Sequence, residues 1–156
     1  MLNLFRMVGM LRGDRVKAES TGAVALDKIL ASGVRETADV NALATAGDRE
    51  MAILVWNYHD DDLPSTPATV QLAARDVPGR VLVEHYRIDD EHSNAYTVWK
   101  QMGSPQQPTP EQYARLEASG QLQLLTSPEW RRSNGGTLAL EFPLPHHAVS
   151  LVRISW

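Results

Sequence analysis

Nineteen carboxylates, five histidines and no cysteine define the chemistry open to this 156-residue chain. The densest clusters are His59-Asp60-Asp61-Asp62 and Asp89-Asp90-Glu91-His92. Successive oxygen ligands can hold calcium, but consecutive residues in an extended loop point apart, and no Asp-x-Asp-x-Asp-Gly pattern follows either cluster. Both are expected to be solvated turns, and the second also places acids where a helix N-terminus favours them. His59, His85, His92, His146 and His147 show none of the His-x-x-x-His or His-Glu-x-x-His spacings of a zinc site. Ser93, Ser127 and Ser150 sit in no Gly-x-Ser-x-Gly elbow, so no nucleophilic triad can be assembled. Gly135-Gly136 is a turn, and no phosphate loop or dinucleotide fingerprint is present. No metal and no cofactor is implied.

Glycosyl transfer to water needs two facing carboxyls, roughly 5–9.5 Å apart. Glu84 is the acid that stands inside a strongly apolar run, and a cross-strand partner such as Arg153, or a solvent-facing position, accounts for it. Trp56 and Tyr58 share one strand face, two residues apart. With Tyr86, Tyr96, Trp99, Trp130 and Trp156 they could make a sugar-stacking platform, but Ile53-Leu54-Val55 around Trp56 favour core packing.

The composition narrows the partners. Lys+Arg 15 against Asp+Glu 19 gives a net charge of -4, with no basic stripe for nucleic-acid phosphates. Without cysteine there is no disulfide, thiolate or iron–sulfur chemistry. No apolar run approaches the ~20 residues of a membrane span. The greasy start, Met1 to Leu11, lacks the basic n-region and small-x-small site of a signal peptide. A soluble single domain is expected, its compartment unreadable.

The positioning elements are mostly strands. Leu2, Phe5, Met7, Val8 and Leu11 give a short helix a broad apolar stripe, ended near Gly13. A helix this short needs a partner surface, either its own domain or a neighbouring one. After it the period turns to two. Strands are expected over 15–20, 40–46, 49–58, 69–73, 80–88, 137–142 and 149–154, with Gly47-Asp48 and Pro78-Gly79 as turns. That pattern predicts a mainly β fold, an antiparallel β-sandwich. A helical insertion at about 90–120 interrupts it. Ser93 is the expected cap of a helix over 94–100, and Thr109-Pro110-Glu111-Gln112 is a capping box with Pro at the first helical position. That second helix ends near Gly120.

Longer motifs then match a known family. Asn3-Leu4-Phe5-Arg6-Met7 with Gly9-Met10, Val55-Trp56-Asn57-Tyr58-His59-Asp60-Asp61-Asp62, and His85-Tyr86-Arg87-Ile88-Asp89 come in order. Glu91-His92-Ser93-Asn94-Ala95-Tyr96, Trp99, Met102-Gly103-Ser104-Pro105-Gln106, Pro108-Thr109-Pro110, Gly120-Gln121-Leu122 and Val149-Ser150-Leu151 follow. Together they resemble the C-terminal portion of glycoside hydrolase family 39, of the bacterial β-xylosidase kind. The resemblance implies a retaining β-glycosidase with a (β/α)8 catalytic barrel and an accessory β-sandwich. Residues 1–12 resemble the last helix of the barrel and residues 13–156 the sandwich with its insertion. The family's acid/base lies in an Asn-Glu-Pro motif, and no Asn-Glu pair occurs in the chain. The nucleophile belongs to a barrel strand, and a barrel needs at least ~200 residues. No catalytic residue carries over, and a fragment of such an enzyme is expected, inactive alone. Its implied partners are the barrel, with Phe5, Val8, His92, Asn94, Tyr96 and Trp99 as contact residues for the barrel or a second subunit, and carbohydrate through the parent. A stand-alone carbohydrate-binding or oligomerisation module is the alternative.

Overall fold

A computed structural model describes residues 2–62 and 65–156. In chain order the elements are α1 (Leu2–Val8), β1 (Asp14–Val16), α2 (Leu26–Ser32), β2 (Asp39–Gly47), β3 (Glu50–Tyr58), β4 (Ala68–Ala74) and β5 (Arg80–Ile88). There follow α3 (Ala95–Gln101), α4 (Pro110–Ser119), β6 (Gln123–Leu124), β7 (Glu129–Arg132), β8 (Leu138–Leu144) and β9 (Val149–Ser155). Alternation produced the long strands: β5 matches its expected bounds, and β2, β3, β4, β8 and β9 match theirs within two residues. The fold is mainly β, two antiparallel sheets with a helical insertion, and the described residues form no closed barrel.

The larger sheet has the order β1-β2-β3-β9-β5, and β6 and β7 both pair with the outer edge of β5. The smaller sheet contains β4 and β8. The hairpin between β2 and β3 turns on Asp48 and Arg49, and Arg49 takes φ 59. Gly13 (φ +81) leads into β1 so close to β2 that a Cβ there would lie 2.1 Å from the Ala46 carbonyl oxygen, which explains the glycine.

Between the sheets lie Ile53, Val55, Val81, Val83, Leu138, Phe142, Leu144, Val152 and Ile154, all buried. A second apolar cluster covers the outer face of the larger sheet, where Met7 of α1 meets Ala52, Leu54 and Leu151. The N-terminal helix therefore docks on its own domain along one face. Met7 is fully buried, so Met7→Ala should cost about 2–5 kcal/mol of unfolding free energy, read by urea denaturation. A loss below about 1 kcal/mol would show that α1 is only loosely attached.

Several details depart from the sequence reading. β1 stops at Val16, and α2, β6 and β7 carry no pattern that marked them. Asn94, not Ser93, caps α3: its Oδ1 accepts the N–H groups of Tyr96 and Thr97. Ser93 is instead buried at φ 56, with its hydroxyl committed elsewhere. Trp56 lies outside the inter-sheet core. It is half-buried on the outer face, with Nε1 donating to Asp39 at 2.8 Å.

Candidate domain-contact surface

The helix α1 has two apolar sides, and the sandwich takes up one of them. Asn3 and Met7, four residues apart, face inward. Asn3 Nδ2 donates to the carbonyl oxygens of Ser93 (2.8 Å) and Gly120 (3.0 Å), while its Oδ1 accepts from Arg6. Those carbonyls lie just before α3 and just after α4, so one side chain ties α1 to both ends of the insertion. On the other side Leu2, Phe5 (67% exposed) and Val8 (47% exposed) face solvent. A short helix rarely presents this much apolar surface to water without a neighbour.

The insertion is anchored by a buried polar spine. Asp89 Oδ1 accepts the backbone N–H groups of Glu91 and His92 and the Nδ1 of His92, each at 2.8 Å. Its backbone carbonyl accepts from Asn94 Nδ2 at 3.0 Å. Burial pushes the Asp89 pKa up, but the bonds from His92 and the two backbone N–H groups outweigh it and hold the carboxyl low. The Ser93 hydroxyl donates to the Arg87 carbonyl (2.7 Å) and accepts the Gln123 N–H (2.8 Å), closing the insertion back onto β5.

Of the six contact residues expected, Phe5, Val8 and Tyr96 (61% exposed) are presented outward. Tyr96 stacks on Trp99, ring centroids 5.7 Å apart, with Lys100 Nζ 4.8 Å above its ring. Trp99 is half-buried and its Nε1 donates to Pro105 O, which pins the loop between the helices. His92 and Asn94 are spent on the scaffold through their bonds to Asp89.

The side chain that sequence reasoning missed is Arg87, 2% exposed at the centre of the spine. Its Nε donates to Ser150 Oγ (2.8 Å), Nη1 to Asp89 (3.3 Å) and Nη2 to the Pro143 carbonyl (2.9 Å), so it stitches β5 to both β9 and β8. Strand parity carries the signal, because Arg87 shares a face with Val81 and Val83 and so must point between the sheets.

Several carboxylates elsewhere are held by cations or backbone N–H groups. Glu84 faces Arg153 across the β5–β9 pair and accepts from it at 2.9 Å, as anticipated, and Arg153 also reaches Glu50 at 3.4 Å. In the loop after β3, Asp60 accepts the Val34 N–H and Arg35 pairs with Asp61 at 3.2 Å. Ser150 and His85 are in contact at 2.9 Å, but Ser150 is fully buried and carries Arg87 as its other partner. No group of three potential metal ligands occurs among the described residues. A shallow, open cleft of about 450 Å³ lies where β3 ends and β9 begins, lined by Trp56, Tyr58, His59, Asp60 and His147. No helix is long and apolar enough to cross a membrane among the described residues.

Two antiparallel sheets, a helical insertion latched to the N-terminal helix and, among the described residues, no closed barrel define a mainly β sandwich. Glycosyl hydrolases family 39 matches residues 1–134, and the chain belongs to that family. A β-xylosidase of Geobacillus stearothermophilus is 29% identical over 107 residues, which are 69% of this chain and 21% of that protein. Among solved structures, a family 39 enzyme from Xanthomonas axonopodis pv. citri superposes with a TM-score of 0.75 at 16% identity, over 97% of this chain and 29% of its own. A monomeric β-xylosidase from Caulobacter crescentus CB15 gives 0.61 at 18% identity, over 82% and 29%. These two likenesses show the fold. The chain spans about a fifth to a third of the length of such relatives.

Proposed function

We propose that this chain is the accessory β-sandwich region of a retaining β-xylosidase-like glycoside hydrolase, acting in the breakdown of xylan-derived sugars, and not catalytic by itself. In this reading residues 1–12 are the closing helix of a (β/α)8 barrel and residues 13–156 the sandwich. The observation that carries it is the divided helix α1, with Met7 and Asn3 held by the sandwich and Leu2, Phe5 and Val8 left facing outward. The outward face is the seat of the barrel, and Tyr96 and Trp99 extend the contact along the insertion. The two catalytic glutamates then belong to the barrel, in accord with the absence of an Asn-Glu pair here.

The test replaces the matching region of the Geobacillus β-xylosidase by these 156 residues. The chimera should fold and hydrolyse an aryl xyloside, whereas the isolated chain should not. Phe5→Ser with Val8→Ser should leave the isolated chain within about 0.5 kcal/mol of its original stability and cripple the chimera. Hydrolysis by the isolated chain, or a chimera indifferent to the double substitution, would overturn the reading.

The cleft beside Trp56 and Tyr58 favours a second reading, a carbohydrate-binding sandwich. Tyr58 is exposed, and its ring lies 5.8 Å from that of His147, tilted by 38°. A saturable change in Trp fluorescence with millimolar xylo-oligosaccharide would support it, and a flat titration would dismiss it.

A further inference from the structure

Where β5 begins, at the end of the strand away from the helical insertion, three side chains gather on the outer face of the larger sheet. Val81 and Val83 point into the core, so Arg80, Leu82, Glu84 and Tyr86 point outward by strand parity. β7 pairs with this stretch, Arg132 opposite Arg80 and Trp130 opposite Leu82, so Arg132 and Trp130 share that outer face. The Arg80 guanidinium lies over the Trp130 ring, 4.6 Å from its centroid. With that cover Trp130 is still 56% exposed.

Charge here is unbalanced. Among the described residues no ion pair holds Arg80 or Arg132, whereas the neighbouring arginines are matched. Arg131 donates to Glu129 at 2.7 Å from the opposite face of β7, and Arg153 spans Glu84 and Glu50. Like charges directly opposite across a strand pair repel, yet two stand together in a chain whose net charge is -4. A carboxylate set between the two guanidiniums removes that repulsion, and the planar fork of arginine suits it.

We propose that Arg80, Trp130 and Arg132 form a surface site for a carboxylate-bearing sugar, a uronic acid unit on a xylan-type chain. The indole takes the C–H face of a pyranose ring and the arginines take its carboxylate. Trp130 and Arg132 lie two residues apart on β7, about 7 Å along the strand. A charged group at the rim of a ring stacked on Trp130 therefore comes within reach of Arg132. An acidic peptide would match the charges and leave the indole unused. The site lies apart from α1: Tyr86, which packs on the cluster beneath that helix, is about 13 Å along β5 from Leu82. The kind of sugar chain rests on the xylan-degrading reading of the parent; the carboxylate rests on this site alone.

The test titrates the full chain by calorimetry with xylotriose bearing a methylglucuronic acid branch, and with unbranched xylotetraose. The acidic sugar should bind saturably, and the neutral one about tenfold more weakly or less, since it makes no bonds to a charged group. Arg80→Gln and Arg132→Gln should each weaken the acidic sugar about tenfold and leave the neutral one unchanged. Trp130→Ala should abolish both. All three positions are exposed, and urea denaturation should show the variants as stable as the original chain. No saturable binding of the acidic sugar, equal binding of xylotetraose, or arginine variants that bind as before would each overturn the proposal. A triglutamate peptide binding as tightly would reduce the patch to simple charge attraction, and loss of binding in an active chimera would assign it to the barrel; either result also overturns it. Uronate binding beside a chimera indifferent to Phe5→Ser with Val8→Ser would remove the barrel-contact reading and leave this site standing.

Discussion

Arg87→Met should lower the unfolding free energy by about 3–5 kcal/mol, the cost of removing one partner from a buried ion pair. The size follows from what is stranded. Asp89 keeps its bonds from His92 and two backbone N–H groups but loses its cation, with its side chain only 7% exposed. Ser150 Oγ and the Pro143 carbonyl lose their donors inside the sandwich. Methionine restores the volume of the stem and none of the three bonds. Arg87→Lys should fall between, since an ammonium keeps the charge without the planar fork that meets three acceptors at once. Urea denaturation decides it: the midpoint should fall with the m-value unchanged. A loss under about 1 kcal/mol would mean that the spine is not what binds the insertion and the smaller sheet to β5.

The second large effect is on pH. His85 is pushed down from 6.5 to about 4, first by burial and then by the charge of Arg87. Its Nε2 lies 2.9 Å from Ser150 Oγ, which accepts from Arg87 Nε, so the ring sits beside a buried cation's partner. The unfolded chain binds this proton at higher pH than the folded one. The contribution of His85 is therefore complete above about pH 6.5, lost as pH falls toward 4, and constant below that. At full size it amounts to about 3 kcal/mol. Asp89, held low, adds a loss in the same direction at more acid pH. Denaturation curves at pH 7, 5.5 and 4.5 should show the decline, and His85→Gln, neutral throughout yet able to hydrogen-bond Ser150, should flatten it. An equally steep decline in the variant would place the effect on the carboxylates instead.

These two effects lie on one spine, and it was the least legible part of the chain. The strands of the sandwich follow from period-two alternation, which is local: Arg80 to Ile88 reads as a strand because its neighbours in sequence do. The capping box at Thr109 is equally local. Its Oγ1 accepts the Gln112 N–H and the Gln112 side chain accepts the Thr109 N–H, three residues apart. The pairing of Glu84 with Arg153 was readable too, because two adjacent antiparallel strands allow few partners for an acid in an apolar run.

The remainder needed distance in sequence to become closeness in space. Ser93 has the right side chain for a cap, but the Arg87 carbonyl and the Gln123 N–H claim its hydroxyl, and Asn94 caps instead. β6 and β7 are short and exist because β5 offers them an edge. The sequence by itself determined the class of fold, the place of the insertion and the family, because these rest on periodicity, turn residues and collinear motifs. Tertiary structure alone decided which half of α1 is buried and where Arg87 spends its donors. Each of those depends on contacts between residues tens of positions apart, such as Asn3 with Gly120, that no local pattern encodes.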